Sequence, residues 1–111
     1  MKKALPELEE KTLNELKESL LKRFPGRIKL IRLFGSKARG DYEEGSDTDL
    51  LIVVDEADPQ LIREINDIDY EISWRHNFQT LNSILVMSEE KYCHLNTSFI
   101  RNIQREGIDL W

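Results

Sequence analysis

The stretch from Phe34 to Val54 leaves this chain the fewest options. A mostly apolar run, Ile28 to Phe34, stops at Gly35-Ser36, and a short polar segment follows. Asp47 and Asp49 then stand one residue apart, and a second apolar run, Leu50 to Val54, begins at once. The order is strand, Gly-Ser turn, polar loop, Asp-x-Asp, strand. Gly35 has no Cβ, so backbone there can approach a phosphate closely and adopt unusual dihedrals. Ser36 adds an N–H and a hydroxyl, and serves equally as a helix N-cap. A short helix beginning over Lys37 to Gly40 would aim free N–H groups and its dipole at the same anion. Two aspartates two positions apart on a strand share a face. Their charges repel until a hard cation separates them, and Mg²⁺ takes one or two carboxylates together with substrate phosphates. The pattern describes a site for a metal-bound nucleoside triphosphate.

These residues also resemble a known family. Gly35-Ser36, ten intervening residues, then Asp47-x-Asp49 is similar to the signature of the DNA polymerase β-like nucleotidyltransferase superfamily. Ala38-Arg39-Gly40 and Ser46 to Leu50 resemble its minimal nucleotidyltransferase branch, whose members often act as antitoxins to HEPN-domain toxins. The resemblance implies an α/β (α+β) nucleotidyltransferase fold, a mixed twisted sheet with helices packed on one side. It implies Asp47 and Asp49 as catalytic metal ligands, with Mg²⁺ as two ions. Gly35 and Ser36 would cradle the β- and γ-phosphates. ATP would be the donor, and AMP would move to a hydroxyl on a partner protein, a HEPN-type toxin. The single cysteine fits a reducing cytoplasm.

Arg39 has two readings of equal weight. Its planar fork can grip a phosphate, or it can pair with Asp41, Glu43 or Asp47 and brace the loop. Lys37 reads as a surface residue, His76 and His94 as non-catalytic, and Trp74 and Trp111 as packing or interface residues. The chain departs from the superfamily at one place. A third carboxylate is expected where the third strand begins, and Gln79 stands there. An amide is at best a neutral oxygen ligand and cannot take a proton as general base. Glu71 or Asp69 would substitute only if a helix delivered them to the site, and both read better as helix-surface charges. A second reading follows, a catalytically weak nucleotide- and partner-binding module that neutralises a toxin by docking.

Composition narrows the classes. One domain over residues 1–111 is the default for 111 residues. Acidic residues outnumber basic ones 21 to 16, a net charge of −5. That balance argues against a nucleic-acid partner, yet not against a nucleotide that arrives with its own metal. A single cysteine, Cys93, rules out an internal disulfide and reads as a buried or half-buried thiol. No apolar run approaches a membrane span, and Met1 to Pro6 is basic without an apolar signal core.

The remaining pattern is helical and stranded in alternation. Leu5 to Phe24 reads as a helix ended by Pro25-Gly26. Ile28 to Phe34 is a strand with broken alternation, so covered on both sides. Asp58-Pro59 starts a helix carrying Leu61, Ile65, Ile68 and Ile72 and ending near Arg75. Leu81 to Met87 reads as the third strand. Ser88 opens a helical stretch that runs through Phe99, Ile100 and Ile103 to Gly107, after which Ile108 packs back and an apolar tail ends at Trp111.

Overall fold

A strand that is apolar on both sides needs a layer on each side, and Leu50 to Val54 meets that demand. The computed structural model describes residues 5–111. The basic stretch read at Met1 to Pro6 lies mostly outside them. Strand β2, Thr48–Val54, is the centre of the molecule, and its residues from Leu50 onward are at most 2% exposed. Strand β1, Ile28–Phe34, runs antiparallel to it. Strand β3, Asn82–Ser88, runs parallel to it on the other side. The two-residue strand β4, Ile108–Asp109, pairs antiparallel with β1, giving the order β3-β2-β1-β4.

Two helices cover one face. Helix α1, Glu7–Arg23, buries Leu13, Leu16 and Leu20; acidic residues fill its first turn and Lys22 and Arg23 its last, as the helix dipole favours. Helix α3, Pro59–Arg75, supplies the parallel crossover. Asp58 caps it, accepting from the Leu61 N–H at 2.9 Å, with Pro59 in the first turn. Arg27 fixes the cap by donating to Asp58 and Asp55. Against this layer point Leu50, Ile52 and Val54, with Ile28, Ile31 and Leu33 of β1. Ile28 and Ile31 share a face because the β1–β2 register shifts between Ile28 and Leu30, a bulge that absorbs one residue. That shift accounts for the broken alternation in the sequence.

The other face is covered too, which corrects the expectation of helices on one side. Leu51, Val53 and Met87 pack there against Ile100 and Ile103. Those isoleucines lie on α5, Ser98–Glu106, which is separate from α4, Glu89–His94. The single helix expected from Ser88 to Gly107 is broken at Leu95 to Thr97. Asn96, Thr97 and Ser98 are short polar residues that compete for local backbone. Thr97 takes the Ile100 N–H and restarts the helix as its cap, as Ser88 does for α4 through the Lys91 N–H. Ile108 does not pack into the core either. It is 41% exposed on β4, and Leu110 turns inward instead. Cys93 is exposed rather than buried. Among the described residues no helix is long and apolar enough to cross a membrane.

Candidate active site

The antiparallel register of β1 and β2 sets Phe34 opposite Asp49. The chain leaves β1 at Gly35 with φ +72° and enters helix α2, Gly35–Arg39, at once. Gly40, with φ +83°, closes that helix. A Cβ on Gly35 would fall on the Asp49 carboxylate, at Oδ2. So glycine is required twice here, by its left-handed backbone and by the carboxylate seated against it. Gly35→Val is expected to lower the melting temperature through at least ~1–2 kcal/mol of backbone strain. It should also displace Asp49 and weaken ATP binding. A thermal melt that matches wild type would show that the turn does not need glycine.

Asp49 points to the α5 face, with Leu51 and Val53. Asp47 precedes β2 by one residue, keeps the same parity and is exposed. Burial pushes the Asp49 carboxyl above the usual range, the charge of Asp47 pushes it further, and Arg39 pulls it back. The two aspartates and Arg39 are therefore electrostatic neighbours. Two neighbouring carboxylates form a donor set that suits a hard divalent cation whose other ligands come from phosphates. Among the described residues no group of three or more His, Cys, Asp or Glu is placed to hold a metal. The pair fits a metal shared with a substrate and does not make a complete protein cage.

Ser36 lies in the first turn of α2 rather than at its cap; the cap position is Phe34, with no side-chain bond. Among the described residues the Ser36 hydroxyl has no hydrogen-bond partner, while its carbonyl accepts from the Gly40 and Asp41 N–H groups. Arg39 braces the loop, donating to Asp41 at 3.1 Å and to Glu106 of α5 at 3.3 Å. Asp41 was one of the partners expected for it. Glu106 was not, because it lies 67 residues away in sequence.

Lys37 is not on the surface, and this corrects the sequence reading. Its ammonium donates to both oxygens of Glu9, at 2.7 and 2.9 Å, and lies 4.1 Å from the centre of the Tyr42 ring. Its side chain is 2% exposed. Removing one partner of a buried pair strands the other charge. Lys37→Met is therefore expected to cost ~3–5 kcal/mol, and adding Glu9→Leu should restore most of it. Chemical denaturation of the two variants checks this; equal stability of single and double would mean the pair is not coupled.

Lys37 and Glu9 line a cavity of about 610 Å³ together with Tyr42, Ser46, Gln79 and Thr80. Gln79 thus sits before β3, at this cavity. In the parallel register it is Ser83 that lies opposite Asp49. Asp69 is half-buried and accepts from the Asn82 amide at 2.8 Å. Burial raises its carboxyl and that bond partly offsets the rise. Asn82 has the parity of Ile84 and Val86, which face α1 and α3, so Asp69 is on the sheet face away from Asp49. Glu71 is exposed on α3. Neither joins the aspartate pair. His76 contacts Glu15 and His94 the carbonyl of Glu90, both distant from the pair in sequence.

Sequence reading missed α5 as a wall of the site. Phe99, Asn102 and Glu106 line a second cavity, about 300 Å³, with Phe34, Gly35 and Arg39. Their spacing along one helix stripe was visible, but not what the stripe faces.

The relatives of this chain are in accord with its geometry. It is 40% identical over 108 residues to "Putative protein adenylyltransferase MJ0604" of Methanocaldococcus jannaschii, covering 93% of this chain and 98% of the relative. A crystal structure of a nucleotidyltransferase from Sulfolobus solfataricus, itself designated putative, superposes with TM-score 0.60 at 21% identity, over 91% of this chain and 78% of that one. A tri-AMPylated Shewanella oneidensis HEPN toxin in complex with MNT antitoxin gives TM-score 0.54 at 16% identity, over 92% and 71%. At such identities the two structures establish the fold. Residues 13–110 match the nucleotidyltransferase domain family, and with a Gly-Ser turn seated on an Asp-x-Asp strand, the chain belongs to that family.

Proposed function

We propose that this protein transfers AMP from ATP to a hydroxyl on a partner protein, acting as the antitoxin of a HEPN toxin in the cytoplasm. The observation that carries the reading is the Asp49 carboxylate packed on the Gly35 turn with Asp47 beside it. The relative named as a protein adenylyltransferase supports the donor and the acceptor class. The neighbouring AMPylated toxin–antitoxin complex supports the kind of partner. In the reaction an acceptor oxygen forms a bond to the α-phosphorus of ATP. The bond from that phosphorus to the β-phosphate bridge breaks, and pyrophosphate leaves. Asp47 and Asp49 would hold Mg²⁺, in two ions, which neutralises charge on the phosphates and the leaving group. Gly35 and Ser36 offer backbone N–H groups and a hydroxyl to the outer phosphates. Arg39 already holds two carboxylates, so it positions the turn, and a phosphate grip would require it to let go of Asp41 or Glu106.

Among the described residues no third carboxylate stands with the aspartate pair to take the acceptor's proton, which then passes to water: Gln79 occupies the position expected from sequence and Ser83 the one opposite Asp49. This favours slow transfer and keeps the second reading in play, a module that neutralises by docking. An exposed aromatic stripe supports docking. Tyr70 and Trp74 of α3 are 61% and 65% exposed and both meet the Phe78 ring, at 5.5 and 6.1 Å. Phe78 and Asn77 hold left-handed backbone, with φ +54° and +56°. Incubation of the protein with α-labelled ATP, Mg²⁺ and the purified toxin separates the readings. Label on the toxin establishes transfer. A stable unlabelled complex that suppresses the toxin establishes docking alone.

A further inference from the structure

The smaller cavity beside Gly35 has walls of an unusual kind for a site meant only to hold phosphates. At about 300 Å³ it is at the low end for small-molecule sites, which run roughly 300–1,000 Å³. It has room for a ring system. Phe99 of α5 stands at its edge and is 52% exposed, although Ile100 and Ile103 of the same helix are buried. The ring meets Phe34 edge-on, with centroids 5.7 Å apart and planes at 88°. An edge-on contact leaves a face of Phe99 open. Asn102 lines the same cavity one turn further along. Its carbonyl accepts from Arg105 at 2.9 Å, which leaves one lone pair on that oxygen and both amide hydrogens.

We infer that this cavity is the nucleobase subsite, with a purine stacked on Phe99 and its edge read by the Asn102 amide. The inference rests on the nucleotidyl-transfer reading and adds which face of the molecule selects the base. A carboxamide presents one donor and one acceptor, which matches the N6–H and ring-nitrogen pair of adenine. Guanine shows two acceptors on the corresponding edge and is met by a cation. The cation nearest the cavity, Arg39, is engaged by Asp41 and Glu106. The subsite therefore prefers adenine. The larger cavity at Lys37 is a weaker candidate, because its buried charge is already neutralised by Glu9.

The test is titration calorimetry of the full chain, as wild type and as Phe99→Ala and Asn102→Ala, with Mg²⁺ and three probes: ATP, GTP and inorganic tripolyphosphate. Both side chains are exposed, so the variants should fold, and circular dichroism checks that. Phe99→Ala is expected to weaken ATP binding roughly 5- to 150-fold, the range for losing one base–aromatic stack, with tripolyphosphate affinity unchanged. Asn102→Ala is expected to narrow the preference for ATP over GTP. Unchanged ATP affinity in Phe99→Ala, or an equal loss for ATP and tripolyphosphate, overturns the subsite. So does a wild type that binds ATP no better than tripolyphosphate, which leaves nucleotidyl transfer standing. A wild type that binds none of the three probes overturns the transfer reading and the subsite with it.

Discussion

Asp47→Asn combined with Asp49→Asn is expected to remove Mg²⁺-dependent ATP binding and to lower nucleotidyl transfer by ~10³-fold or more, since metal stabilisation of phosphate charge is worth several kcal/mol. The fold should survive. Asp49 is a carboxylate whose ionised form is disfavoured by burial and by Asp47. Its folded pKa lies above the unfolded one, so this group makes the protein less stable once pH rises through the carboxylate range, and the protein recovers stability as pH falls. The double variant has lost that titration. Without metal near neutral pH it should therefore melt at or above the wild-type temperature, and the gap should close in acid. Melts across pH, with and without Mg²⁺, check the sign. Unchanged ATP affinity in the double variant would sink the metal assignment.

The repulsion between two aspartates on one strand face already gives that sign from sequence, but the larger cause, the burial of Asp49, could not be read there. Gly35, Ser36, Asp47 and Asp49 are local: strand, turn and strand follow within a few residues, and their chemistry depends on that order. Strand β2 was legible for the same reason, since an unbroken Leu50 to Val54 run has to be covered on both faces. The Asp58 cap and the Pro59 start of α3 were set by residue type alone. What stayed hidden depends on contacts across long stretches of chain. Lys37 looks like any surface lysine until α1 brings Glu9 to it. Arg39 has acidic neighbours in sequence, and nothing local says that one of its partners is Glu106. The two-residue β4 has no signal of its own. It exists because Arg32 and Leu33 offer it an edge, reinforced by Arg32 donating to Asp109 at 2.5 Å. The break between α4 and α5 was marked only by Asn96-Thr97-Ser98, inside an otherwise helical apolar period.

The same limit governs the third carboxylate. From sequence, Gln79 stands where the superfamily's third carboxylate is expected, just ahead of the third strand. Strand β3 starts at Asn82, one residue from the start read in the sequence, and its parallel register with β2 sets Ser83 beside Asp49. Ser83 shares parity with Leu85 and Met87, which pack on the α5 face with Leu51 and Val53. A carboxylate there joins the face that carries Asp47 and Asp49. One at position 79 joins the cavity with Lys37 and Glu9. Ser83→Asp is thus expected to raise the rate of AMP transfer by ~10²–10⁴-fold, the usual worth of a general base, and Gln79→Asp to raise it little. A third negative charge on one sheet face should also destabilise the metal-free protein, and Mg²⁺ should reverse that loss. Initial rates and paired melts of both variants decide the matter. A gain in Gln79→Asp alone would place the missing base at the loop before β3. No gain in either, with ATP binding intact, would mean that the proton leaves through the partner protein or that the chain works by docking.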